Sequence, residues 1–199
     1  MRSNRLEAFS DGVMAIIITI MVLELKAPDG PTLNALWDAS GPSLLSYLLS
    51  FVYVGIYWNN HHHLFQVCEQ VNGTVLWANL AQLFVLSLLP FTTSWMDEQS
   101  LATVPVVVYG VNLLAAGTAF YLLEHAMARI PGQGARMREV FGQTLKERAS
   151  LVLYVAGILL SALVVPWLGM VVFVVVAAIW VIPDRRVERY LAQLDSETA

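Results

Sequence analysis

The side chains with chemical potential in this chain are few and clustered. Ser10 and Asp11 sit side by side in an otherwise apolar N-terminal run, preceded by Arg5 and Glu7. His61, His62 and His63 follow Asn59 and Asn60; Asn79 and Gln82 are one helical turn apart; Glu124 is followed by His125. A nucleophilic serine needs a base within hydrogen-bond reach, and a carboxylate adjacent in sequence does not supply one on the same helix face. A metal centre needs convergent ligands, but neighbouring histidines on a helix point about 100° apart and no H-E-x-x-H spacing is present. Neither a catalytic site nor a metal site is expected. Asp11 and Glu124 could instead carry protons if they lie within a membrane, which would suit a proton-coupled secondary transporter. Such transporters are commonly built from internal repeats and broken helices, and the sequence shows neither.

Composition says what must hold these groups. The chain has 199 residues, 57% of them apolar and 13% charged, with a mean hydropathy of +0.63. A soluble domain carries about 45–50% apolar and about 25% charged residues. A cytosolic nucleotide-binding fold, a disordered chain and a nucleic-acid partner are therefore excluded, and the single Cys68 excludes a disulfide framework. A membrane-spanning helix needs about 20 mostly apolar residues. Spans are expected at roughly 6–25, 44–65, 74–96 and 101–123, with 27–41 as a short outer connection. The apolar stretch 149–182 would reach about 51 Å as one helix, too long for a hydrocarbon core of about 30 Å. Pro166-Trp167-Leu168-Gly169 lies at its middle, so a helical hairpin of spans 149–165 and 168–182 is expected. A short interfacial helix over 137–145 and a tail over 183–199 complete a single all-α domain. With both termini cytoplasmic, ten of the eleven basic residues are inside and only Lys26 is outside, as the positive-inside rule requires of a six-span, multi-pass protein of the cell membrane.

The first span is unusual. Glu7 and Asp11 intrude on its apolar run, and 24–28 is a poor cleavage site, so a membrane helix is expected rather than a removed signal. At about 100° per residue, Ile16, Ile20 and Leu23 fall within about 60° of one another, with Phe9 and Val13 close to that line and Thr19 on its flank. Ser10 and Asp11 lie about 120–140° away from Ile16. If the polar side packs into the chain's own bundle, the aliphatic stripe meets lipid, another helix or symmetry-related copies of itself. Arg5 is the nearest counter-ion for Asp11, and His61, His62, Asn79 and Gln82 are partners within reach by depth. One such helix per chain cannot enclose a conduit, so a conduit would take several chains in a ring.

Arg5-Leu6-Glu7-Ala8-Phe9-Ser10-Asp11-Gly12-Val13, followed by Ala15, Ile16 and Thr19, reads R-x-x-x-F-S-D-G-V-x-A-I-x-x-T. This resembles the transmembrane protein 175 family, the lysosomal potassium channels and their bacterial homologues. Trp58-Asn59-Asn60-His61-His62-His63-Leu64-Phe65 and Leu88-Leu89-Pro90-Phe91-Thr92 resemble that family's second- and third-helix patterns. The resemblance implies a potassium-permeable cation channel, a homotetramer of six-span subunits with the first helix lining a central pore and no cofactor beyond the permeant potassium ion. It implies a constriction at Ile16, with Ile20 and Leu23 above it and Thr19 contributing a hydroxyl or carbonyl. It also implies that Arg5, Phe9, Ser10 and Asp11 hold the first helix against its neighbours, with His61, His62 and Asn79 as partners.

Overall fold

A computed structural model describes residues 3–68, 70–134 and 145–181, all of its regular secondary structure being helical. The expected interfacial helix over 137–145 lies almost wholly outside the described residues, and the tail over 183–199 wholly so. The helices are α1 (Asn4–Leu23), α2 (Leu33–Val67), α3 (Gly73–Ser87), α4 (Leu89–Glu98), α5 (Thr103–Ala128), α6 (Leu145–Leu163) and α7 (Pro166–Val181). Asn4–Leu23, Leu33–Val67, Gly73–Glu98 and Thr103–Ala128 are long and apolar enough to cross a membrane.

Three boundaries differ from the sequence expectation, each for a local reason. α2 starts at Leu33, eleven residues before the expected 44, because Thr32 caps it by accepting a hydrogen bond from Ala35 N (3.1 Å). Pro42 then sits inside the helix, where it removes one rung without ending it. The third span is not one helix. It breaks at Leu88, just before Pro90, into α3 and α4. The hairpin turn falls at Val164 and Val165, because Pro166 opens α7 rather than making the turn. A proline at the first helical position has no N–H to leave unsatisfied and a preset φ.

α5 is the hub of the bundle, packing against α3, α4, α6 and α7, while α1 rests on α2, α3 and α4. Met14, Ile17 and Met21 join Tyr53, Leu86, Tyr109 and Phe173 in the main core. Phe173 is the deepest fitting of α7: a Cβ on Gly110 or Gly157 would stand 2.5 or 2.6 Å from its ring. Only hydrogen fits at those two positions. Tyr53 donates to the Phe173 carbonyl (2.6 Å), so α2 is tied to the same point. A smaller cluster of Leu64, Phe65, Val75, Leu123 and Met127 closes the end of the bundle where α1 begins.

The break in the third span has an identifiable filler. Asn112 of α5 presents its amide there, oriented so that both ends are satisfied. It donates to Val85 O (2.9 Å) and accepts from Leu89 N (3.3 Å) and Thr92 Oγ1 (3.1 Å). Val85 and Leu89 are the carbonyl and amide that would bond to each other in an uninterrupted helix. A side chain from a neighbouring helix has replaced that rung.

Candidate pore-lining helix and its anchors

α1 divides into two faces at helical spacing. Ser10, Met14, Ile17 and Met21 recur every three or four residues and are buried. Phe9, Ile16, Thr19, Ile20 and Leu23 lie on the other side and are exposed. The contrast between neighbours is sharp: Ile16 is 58% exposed and Ile17 is 3% exposed. No other part of the described chain covers this stripe, which the family resemblance assigns to the constriction.

Polar contacts fix the opposite side of α1 against two helices. On α3, Asn79 donates through Nδ2 to Ser10 Oγ (2.9 Å), and Ser10 Oγ donates to Leu6 O (2.9 Å) within its own helix. Asn79 Oδ1 pairs with His61 Nε2 (2.8 Å), so the His61 proton belongs on Nε2 in this arrangement. Ser10, Asn79 and His61 are all buried. On α2 the contacts form a ladder. Trp58 Nε1 donates to Asp11 Oδ1 (3.0 Å), and His62 Nδ1 meets Glu7 Oε1 at 2.9 Å. Glu7 and Asp11 are four residues apart on α1, as Trp58 and His62 are on α2. Two antiparallel helices thus meet rung by rung, one turn at a time. Gln66, one further turn along α2, bonds His62 Nε2 (2.8 Å) and completes the imidazole's pairing.

The expected residues are therefore only partly gathered. Ser10, Asn79 and His61 form one hydrogen-bonded set, while Asp11 bonds Trp58 and His62 bonds Glu7 in separate contacts. Arg5 is exposed and pairs with neither Asp11 nor any other described carboxylate. Asp11 takes its hydrogen bond from an indole instead. Phe9 does not hold α1 against the chain's own helices; it lies 52% exposed on the same side as Ile16. Gln82, one turn above Asn79, is buried and neither end of its amide has a hydrogen-bond partner among the described residues. Sequence alone gave neither the pairing of Trp58 with Asp11 nor the role of Asn112. The matching four-residue spacing of Glu7–Asp11 and Trp58–His62 was the available signal for the first. For Asn112 the only hint was a polar residue in an apolar span.

Known proteins share this fold and much of this sequence. The family model described as endosomal/lysosomal potassium channel TMEM175 matches residues 5–90, the stretch holding the whole anchoring network of α1. A protein of Chryseobacterium sp. strain P1-3, named a potassium channel, is 47% identical over 97% of this chain and 100% of its own length. The crystal structure of a lysosomal potassium-selective channel TMEM175 homologue from Chamaesiphon minutus superimposes with a TM-score of 0.73, at 30% identity, over 90% of this chain and 96% of that one. The zebrafish endosomal/lysosomal proton channel TMEM175 is 32% identical over 57% of this chain but only 22% of its own length. These relatives are named as channels, not enzymes, and the likeness of the two bacterial ones runs nearly end to end. This all-helical membrane protein belongs to the TMEM175 channel family.

Proposed function

We propose that four copies of this chain assemble in the cell membrane, both termini cytoplasmic, as a potassium-permeable channel whose throat is built from α1. The observation that carries this reading is the uncovered stripe of Ile16, Ile20 and Leu23 on a helix held firmly from behind. A helix bearing Glu7, Asp11 and Arg5 is costly against lipid, so a shared axis suits it better than the rim. Isoleucine rings offer no ligands. A cation passes such a neck only by thinning its water shell, which costs potassium less than the more strongly hydrated sodium. Selectivity is then moderate, and the neck can also close by dewetting. Thr19 donates its hydroxyl proton to Ile16 O (2.9 Å), so its oxygen lone pairs remain for a passing ion. The carbonyls of an unbroken α1 are committed to the helix, so Thr19 contributes a hydroxyl rather than a backbone oxygen.

The test is potassium flux into liposomes carrying the purified protein, under a potassium gradient. Passive flux that follows the imposed voltage, altered in rate and potassium-over-sodium preference by Ile16→Asn, supports the reading. Flux at a fixed proton-to-ion ratio would replace it with a coupled transporter.

A further inference from the structure

A cavity of about 50 Å³ lies between α2, α5, α6 and α7, away from α1 and its anchors. Its wall is aromatic, made by Tyr57, Phe120, Tyr121, Tyr154 and Trp180. Glu124 of α5 also lines it. That side chain is only 9% exposed, yet its carboxylate has no hydrogen-bond or ion-pair partner among the described residues. Glu147 of α6 brings a second carboxylate to the same wall. A buried carboxylate without a partner is costly unless it takes up a proton or a countercharge, and a cation entering the cavity supplies the second.

We infer that this cavity is a binding site for an organic ammonium group, carried either by a lipid headgroup or by a free amine. Ring faces attract a weakly hydrated cation through their quadrupoles, and one carboxylate completes the charge balance. The lining carries tyrosine hydroxyls and two carboxylates, but most of the surface it presents to the cavity is apolar, so potassium or sodium would lose much of its hydration without full replacement. The volume exceeds what one water occupies, about 10–15 Å³ on the same measure, and admits an ammonium with small alkyl substituents. The position, at the end of the bundle where α1 starts, is where the headgroup region of a bilayer would meet it. The site is independent of any role for Ile16.

The full-length protein, delipidated in detergent, is heated with tetramethylammonium chloride, ethanolammonium chloride or potassium chloride at equal ionic strength. Both ammonium salts should raise the unfolding temperature in a saturable way that potassium does not. Glu124→Gln should weaken the apparent dissociation constant by about tenfold or more. Gly117→Ala gives a second arm, because its new Cβ would sit 3.5–3.6 Å from Tyr154, Leu151 and Tyr57 atoms, in ordinary contact. It folds, narrows the cavity and weakens the same response, and it carries the test alone if Glu124→Gln does not fold. In nanodiscs, a stabilisation by phosphatidylethanolamine over phosphatidylglycerol alone, lost in the variants, assigns the headgroup. A response confined to the soluble salts assigns a free amine. No rise above the potassium control, or an equal response in the wild type and the variant measured, overturns the site.

Discussion

Ile16 and Ile17 are adjacent in sequence and identical in chemistry, so replacing each in turn by alanine separates packing from permeation. Ile17 is 3% exposed and packs in the main core beside Met14 and Met21. Removing three carbons there leaves a cavity, at a cost of about 2–5 kcal/mol. Ile16 is 58% exposed; scaling the same range by the buried remainder gives roughly 1–2 kcal/mol. Ile17→Ala should therefore lower the denaturation midpoint of the purified protein markedly while leaving the potassium-to-sodium ratio of folded channels unchanged. Ile16→Ala should do the reverse: a small stability loss, a faster potassium flux through a wider throat and a reduced preference over sodium. The assay pairs unfolding in detergent with flux into liposomes, normalised to the amount of folded protein. The reasoning is refuted if Ile16→Ala leaves both rate and ion preference untouched, or if Ile17→Ala changes the ion ratio as strongly as Ile16→Ala does.

Three further outcomes follow from the packing. Asn79→Ala removes the partner of both Ser10 and His61, and should cost about 2–4 kcal/mol by denaturation; in a double-mutant cycle with Ser10→Ala the two losses should be less than additive, and strict additivity would mean the pair is not coupled. Gly157→Ala drives a methyl into the Phe173 ring and should destabilise by about 1–3 kcal/mol, while Ala at Gly12, where nothing lies within 4 Å, should not. Asn112→Leu leaves Val85 O and Leu89 N without their bridging amide; hydrogen exchange at Leu89 should rise at least about tenfold relative to the middle of α5, and unchanged protection would show that the break closes by itself.

Much of the bundle was readable because its signals are local. The apolar lengths announce the spans, and the 3.6-residue period of α1 separates Ile16, Ile20 and Leu23 from Ser10 without any coordinates. The ends were harder. Pro42 and Pro166 each suggest a break, yet the first is absorbed within α2 and the second starts α7; a proline's effect depends on whether the rung it removes was needed. The partners of the acidic side chains were harder still. Arg5 looked right for Asp11 on charge, but six residues along a helix turn it to another side, while Trp58 arrives from α2 in register. Such pairings are set by how two helices slide along each other, which no single window of sequence contains.

Because the missing rung between Val85 and Leu89 is supplied by Asn112, the angle between α3 and α4 is not a property of the third span alone. Any tilt of α4 toward or away from α1 must stretch or release a bond to α5, whose far end carries Glu124. The seat of α4, which packs against α1, is therefore set from α5 as well as from its own sequence.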